Sequence, residues 1–479
     1  MASIKKNFSW NLLLTICGYI FPFITYPYAS RVMGVENMGV CGYVDSIINY
    51  LVLLSALGVG SLGVREIARC KDDKELRSEV FSNLLIFNMS LTMIFVAVLV
   101  ACTLLIPSLQ EYKSFLLIGV LKLVFQPLTV EWFFQGIQDF RYVTLRSLTF
   151  RALSVILLFL LVHTREDVLW YYSLSVITAV FSAFCNLVYS RRFVRFTLRN
   201  YKPFLYLVPI LAFGYYRLLT SLYTTFNTFY LGTVTDNVQV GYFVTATKLN
   251  TIIMSVFTAL TTVMVPKVAQ MLNEGKKDDL QKIANKTFSI LTAVALPVII
   301  ISLFCAPHII YILSGAGYEG AVPSFRIVIF TILIIGMEQI VIQQFLMASR
   351  NNKTILAVSS TGAIVGLAFN FALTPIYGSV GTSLSWAFSE LAVLIVGLYL
   401  MKKTLQLSLS IINLMKDIAF SLLYVIPLIP ICYYIHNCWA NCIVSAIATL
   451  CLFLVINVCL HPNMEFLNLV SSIREKLKK

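Results

Sequence analysis

The stretch VFSNLLIFNMSLTMIFVAVLVACTLLI, residues 80–106, decides the fold class of this chain. It runs for 27 residues without a charged side chain. About 20 apolar residues in a helix, rising about 1.5 Å each, are enough to cross the hydrocarbon core of a bilayer. The stretch therefore predicts a membrane-spanning helix whose solvent is lipid.

Comparable stretches recur along the whole chain. Of its 479 residues, 59% are hydrophobic and only 12% are charged, which is too little polar surface for a soluble protein. An all-α polytopic membrane protein of about 14 transmembrane helices is predicted. The predicted spans are 8–30, 41–64, 80–106, 114–134, 143–162, 168–190, 204–231, 240–264, 287–305, 324–348, 354–374, 378–401, 417–435 and 440–460.

The net charge of +14 is distributed unevenly between the two faces of the membrane. With the N-terminus inside, 28 of the 36 basic residues fall in the termini and the even-numbered loops. The opposite face holds only Arg31, Lys113 and Arg165. This positive-inside bias predicts cytoplasmic N- and C-termini, and it accounts for the positive charge without a nucleic-acid partner.

Motifs of enzyme and metal sites are absent from the sequence. The 11 cysteines include no Cys-x-x-Cys pair, the 4 histidines are scattered near span ends, and no phosphate-binding glycine loop occurs. We therefore predict that the protein is not an enzyme and holds no metal or other cofactor.

A weak internal repeat relates residues 34–74 to residues 232–277. In each copy a Gly-Tyr dipeptide is followed by an apolar span and then by a loop of mixed charge. Because each unit would hold six spans, two parallel lobes are predicted, related by an axis along the membrane normal. The predicted domains are an N-terminal lobe at 1–200, a C-terminal lobe at 201–403, and two further helices with a cytoplasmic tail at 404–479.

Three cations, Lys122, Arg217 and Lys248, fall deep inside predicted spans. A cation near the bilayer centre costs at least about 2.5 kcal/mol, so it normally faces a partner or a water-filled cavity. These residues are therefore predicted to line a cavity.

Polar residues accompany two of these cations at helical spacing. Ser221 and Thr224 follow Arg217 at offsets of four and seven, and Asn227 borders that stripe. Lys248 begins a second stripe with Thr251, Ser255, Thr258 and Thr262. Ser and Thr stripes also serve to join helices, so their role in a cavity is an open alternative.

Four acids lie in spans, namely Asp45, Glu131, Glu338 and Glu390. Glu131 lies near a cytoplasmic end. The other three either neutralise buried cations or bind H⁺ or Na⁺ that drives transport, and the sequence leaves both possibilities open.

Two motifs carry a family resemblance. The first begins at YPYASRVMG, residues 26–34, and ends at LGVGSLGVREIA, residues 57–68; the second is EWFFQGIQDFRY, residues 131–142. Together they resemble the Wzx-type O-antigen and capsule repeat-unit flippases of the multidrug/oligosaccharidyl-lipid/polysaccharide exporter superfamily.

This resemblance implies a function and a site. It implies that undecaprenyl-diphosphate-linked oligosaccharide is moved by alternating access across the bacterial cytoplasmic membrane, alongside a polymerase and glycosyltransferases of the same pathway. It implies two six-helix lobes around a cation-lined cavity. Arg31, which lies inside the first motif, is the cavity cation that the resemblance assigns by motif position. Arg217, Lys248 and Lys122 match only the general cationic lining of the family.

Two other functions compete with this one. A multidrug antiporter of the same superfamily would share the fold, but its often cationic substrates favour acids in the cavity. Here the four in-span acids are outnumbered by five bases within or close to spans, namely Lys122, Arg151, Arg217, Lys248 and Arg326. A polysaccharide polymerase or ligase would need a large external loop, and the longest one predicted is 306–323.

Overall fold

The computed structural model describes residues 4–70, 73–199, 202–349 and 351–460. All regular elements in these ranges are helical, which confirms the predicted all-α class. The chain divides into two compact units, unit 1 at Met1–Gly241 and unit 2 at Tyr242–Lys479. The predicted domain boundaries at 200 and 403 remain predictions.

Unit 1 is built from long apolar helices joined by short turns. Short 3₁₀ turns at Arg165–Asp167 and Pro203–Tyr206 precede two of the helices. The helices are α1 (Ile4–Ala56), α2 (Val59–Arg69), α3 (Lys74–Leu105), α4 (Pro107–Gln110), α5 (Lys113–Leu128), α6 (Glu131–Gly136), α7 (Phe140–Leu161), α8 (Val168–Ser190), α9 (Leu207–Ser221) and α10 (Thr225–Val234).

The boundary between the units falls within α11 (Asn237–Asn273). Unit 2 continues through further helices and a π-helical segment at Gln339–Leu346. Its remaining helices are α12 (Lys277–Phe304), α13 (Ala306–Ser314), α14 (Ala321–Glu338), α15 (Asn352–Leu405), α16 (Ile411–Ser421), α17 (Val425–Tyr434) and α18 (Cys438–Val455).

Two helices bend sharply at a glycine. α1 has 53 residues and α15 has 54, and each is interrupted by non-helical backbone, at Gly34 (φ 75°, ψ 169°) and at Gly378 (φ 54°, ψ −129°). A residue with a Cβ rarely adopts a positive φ, so glycine permits these bends. Each bend separates two predicted spans, the first from the second and the eleventh from the twelfth.

Eleven helical segments in the described part of the chain are long and apolar enough to cross a membrane. Two of them, Ile20–Arg69 and Lys353–Leu405, contain a glycine bend and are about twice the length that one span needs. The protein is therefore a multi-pass membrane protein. The count of 14 spans remains a prediction.

The core of unit 1 joins the two sequence motifs of the first subsection. A Cβ added to Gly63 of α2 would lie 2.4 Å from Cε3 of Trp132, and one added to Gly136 would lie 2.7 Å from Ile67. Glycine at these positions lets α2 and α6 approach closely. Phe133 and Phe134 are fully buried beside this contact.

In unit 2 the last helices pack onto the preceding ones. Tyr424 and Leu428 are buried together with Ile300 of α12 and Ile456. Thr292 Oγ1 of α12 also donates a hydrogen bond to Asp417 Oδ2 of α16 at 2.6 Å. The segment predicted as an appended helix pair is thus fastened to α12 by apolar and polar contacts.

Candidate functional site

Lys122 on α5 forms an ion pair with Asp45 on α1. Its Nζ donates to Asp45 Oδ1, and Asn49 Nδ2 donates to Asp45 Oδ2 at 2.9 Å. The Lys122 side chain is 15% exposed and the Asp45 side chain is 40% exposed. The carboxylate is therefore the more accessible member of the pair.

Arg217 is exposed on α9 and lies beside α2. A Cβ added to Gly60 would lie 3.9 Å from Arg217 Nη1. Among the described residues, no acid forms an ion pair with Arg217. Its charge is thus available at the surface of unit 1.

The polar stripe expected after Arg217 is interrupted in the structure. α9 ends at Ser221, three residues follow, and α10 begins at Thr225. Thr224 is exposed, with its hydroxyl donating to Thr220 O at 2.9 Å, whereas Ser221 and Asn227 are only 2% and 1% exposed. The offsets of four and seven assumed one continuous helix, and the break between α9 and α10 separates these residues.

The two buried members of the stripe have local structural contacts. Asn227 Nδ2 donates to Tyr223 O at 2.8 Å, and Ser221 Oγ donates to Leu218 O at 2.6 Å. Ser221 also hydrogen-bonds Tyr50 of α1. These contacts join helices or close turns, which is the alternative that the sequence left open.

Lys248 is exposed on α11, in unit 2. No acid forms an ion pair with it within the described ranges. Farther along α11, Gln339 Nε2 donates to Thr258 Oγ1 at 2.9 Å, so that part of the predicted stripe packs against the π-helical segment. The side chain of Ser255 lies outside the described residues.

Arg31 is exposed on α1, three residues before the bend at Gly34. The Arg165 guanidinium lies against that bend, with Cζ 3.6 Å from the position of a Cβ at Gly34. The first motif and the loop before α8 therefore bring two arginines to one part of unit 1.

Glu338 and Glu390 are brought together in unit 2, at the end of α14 and within α15. Their carboxyl groups are hydrogen-bonded to each other. Trp386 Nε1 donates to Glu390 Oε1 at 2.7 Å, whereas Glu338 Oε2 is buried without a partner. No lysine or arginine in the described part of the chain pairs with either carboxyl group.

Glu131, which begins the second motif, pairs with Arg146 of α7. Arg146 Nη2 donates to Glu131 Oε1 at 2.5 Å and to Ser147 Oγ at 3.0 Å. The Arg146 side chain is only 6% exposed, so Glu131 compensates a positive charge that is largely buried. Arg146 lies within α7, in the predicted span 143–162.

Several of these contacts join residues that sequence reasoning did not connect. Asn49 and Trp386 were missed, although each lies four residues from its acid on the same helix, a spacing that places side chains on one face. The contact of Glu338 with Glu390 had no such signal. No group of three or more His, Cys, Asp and Glu in the described ranges is arranged to hold a metal.

A multi-pass helical protein with exposed cations inside its predicted spans is typical of membrane transport proteins. The sequence profile described as polysaccharide biosynthesis protein matches residues 4–272, more than half of the chain. The chain belongs to this family, and the predicted kinship with Wzx-type flippases is confirmed. A second profile, MatE, matches residues 215–372.

Relatives and solved structures agree with this assignment. The chain is 23% identical to the "Putative O-antigen transporter" of Escherichia coli (strain K12) over 397 residues, which cover 81% of this chain and 94% of the relative. The protein of the same description from Shigella dysenteriae is 24% identical, with coverages of 82% and 98%.

Two solved structures share the fold. The lipid II flippase MurJ in its inward closed conformation has a TM-score of 0.76 at 14% identity, covering 94% of this chain and 98% of MurJ. An inward-facing multidrug resistance MATE family transporter has a TM-score of 0.60 at 17% identity, with coverages of 85% and 95%. At these identities the likeness shows a shared fold. The curated relatives are named as transporters, and this member of the family is a transport protein and not an enzyme.

Proposed function

We propose that the protein is a flippase that turns undecaprenyl-diphosphate-linked oligosaccharide repeat units from the cytoplasmic to the outer face of the bacterial cytoplasmic membrane. Alternating access would expose the sugar headgroup first to one face and then to the other. The product would feed surface polysaccharide assembly, with a polymerase acting after it and glycosyltransferases acting before it.

The observation that carries this proposal is the exposed positive charge of Arg217 and Lys248 inside predicted spans. An exposed cation at such a position is tolerated where it meets water or an anion. A diphosphate is an anion that Arg and Lys bind by short charge-assisted hydrogen bonds. Arg31, on the first motif, is proposed to contribute to the same recognition.

A complementation experiment tests the proposal. In a strain that lacks the gene, we expect Arg217→Ala and Lys248→Ala each to reduce surface polysaccharide at least about tenfold, because a charge-assisted contact contributes about 1.5–3 kcal/mol. Arg217→Lys and Lys248→Arg should retain part of the export. Arg191→Ala, an exposed arginine just after α8, is the matched control and should export normally.

The deletion strain itself provides a second readout. Lipid-linked oligosaccharide should accumulate on the cytoplasmic leaflet, where it is made. Accumulation on the outer leaflet, or normal polysaccharide in both alanine variants, would refute the proposal.

A multidrug antiporter is the second candidate, favoured by the MatE profile over residues 215–372. It predicts that deletion lowers resistance to cationic drugs while surface polysaccharide is unchanged. Glu338 and Glu390 would then be candidates for a coupling-ion site. The same two acids are candidates for H⁺ or Na⁺ coupling in the flippase.

A further inference from the structure

Lys122 differs from Arg217 and Lys248 because its charge is already neutralised by an acid, Asp45. The carboxylate accepts from Lys122 through Oδ1 and from Asn49 through Oδ2. Lys122 lies behind it, with 15% of its side chain exposed against 40% for Asp45. An approaching anion therefore meets a carboxylate before it meets the lysine.

The exposure of Asp45 also indicates what surrounds it. A carboxylate inside a span is costly in contact with lipid, so an accessible one faces water or a polar ligand. Asn49, one helical turn further along α1, is likewise exposed and polar. This part of α1 thus offers a hydrated route to Lys122.

An anion that pairs directly with Lys122 Nζ would take the place of the Asp45 carboxylate as its partner. A phospholipid phosphodiester carries one negative charge, so the exchange replaces one single charge by another with little electrostatic gain. A diphosphate carries more negative charge and more acceptor oxygens, which strengthens its contact with an ammonium group.

We propose that Asp45 is the resident counter-anion of Lys122, and that the pair selects multiply charged diphosphate headgroups over singly charged phospholipids. This inference rests on the proposed function, since it concerns recognition of the same substrate class. Asp45 is a specificity-determining residue, because removing it uncovers a cation for any anionic lipid.

Competitive lipid binding to the purified full-length protein, measured by native mass spectrometry, tests the inference. The probes are undecaprenyl diphosphate and phosphatidylglycerol. We expect Asp45→Asn to bind more phosphatidylglycerol and to lower the preference for the diphosphate lipid by about tenfold, the scale of one lost discriminating contact. The control Asp236→Asn makes the same acid-to-amide change at an exposed residue of unit 1 and should keep the wild-type preference.

A charge-swap double variant distinguishes a change in lipid preference from a folding defect in Asp45→Asn. The double variant Asp45→Lys with Lys122→Asp keeps opposite charges in contact and moves the cation to the more exposed position. It should fold and lose the preference for the diphosphate lipid. An unchanged preference in Asp45→Asn, or in a folded double variant, overturns the inference and leaves the proposed function intact.

Lipid binding by the wild-type protein distinguishes a failure of this inference from a failure of the proposed function. A preference of the wild-type protein for undecaprenyl diphosphate over phosphatidylglycerol is expected. If the wild type shows none, the proposed substrate class fails and this inference fails with it.

Discussion

Charged side chains within the helices fall into two groups according to what faces them. Lys122 has an acid partner in Asp45, whereas Arg217 is exposed with no ion pair among the described residues. Removing one member of a buried pair leaves an uncompensated charge, whereas an exposed cation is removed at little cost to folding. Substitutions at Arg217 therefore report on substrate binding, whereas substitutions at Lys122 or Asp45 change stability as well as the binding preference proposed above.

Glu390 is the residue at which a side-chain hydrogen bond can be tested most directly. Replacing it by Ala leaves Trp386 Nε1 without its acceptor, which should destabilise the protein by about 1–3 kcal/mol. Glu390→Gln retains a carbonyl oxygen for the indole and should cost less. The measurement is the melting temperature of the detergent-solubilised protein, monitored by size-exclusion chromatography.

Glu166→Ala, an exposed acid before α8, is the control for this pair of variants. Equal melting temperatures for Glu390→Ala and Glu390→Gln would contradict the role assigned to the hydrogen bond from Trp386.

At the scale of elements, the two family motifs are explained by one helix contact. The first motif supplies α2 and the second supplies α6, and Gly63 allows the Trp132 ring to lie directly on the α2 backbone. The ion pair of Glu131 with Arg146 then joins the start of α6 to α7. These residues hold the helices of unit 1 together at positions distinct from the exposed cations.

Gly63→Ala should destabilise unit 1, because its methyl group would lie 2.4 Å from the Trp132 ring. The expected loss is about 1–3 kcal/mol, as for other overpacked sites. Gly60→Ala is a matched control one turn earlier on α2, where the nearest atom in the surroundings lies 3.9 Å away. A shift in thermal stability for Gly63→Ala alone supports the contact, and equal behaviour of the two variants contradicts it.

At the scale of the whole molecule, the charge distribution predicts which loops face the cytoplasm. Gly275 and Gly317 lie in turns on loops predicted to face opposite sides, and a Cβ at either position would meet no atom within 4 Å. An epitope inserted after Gly317 should bind antibody on intact spheroplasts, and one inserted after Gly275 should bind only after lysis.

Both insertions must retain export for the comparison to hold. Antibody binding to the Gly275 insertion on intact spheroplasts would reverse the predicted orientation, and with it the direction of the proposed transport.

The sequence by itself determined the membrane class, the helical content, the family and the positions of the charged residues within spans. These follow from local properties, because transfer of apolar residues into lipid and the hydrogen-bonding needs of the backbone act on each segment separately. The four-residue spacing of Asp45 and Asn49 was likewise readable along the chain.

Only the tertiary structure decided which charges are paired and which are exposed. Lys122 with Asp45, and Glu338 with Glu390, come from different helices, and no pattern within one helix specifies its neighbour. The break between α9 and α10 likewise separated Arg217 from Asn227, which a continuous helix would have aligned. The difference is physical: whether a segment enters the membrane depends on its own composition, but whether a cation is neutralised depends on the helix packed against it.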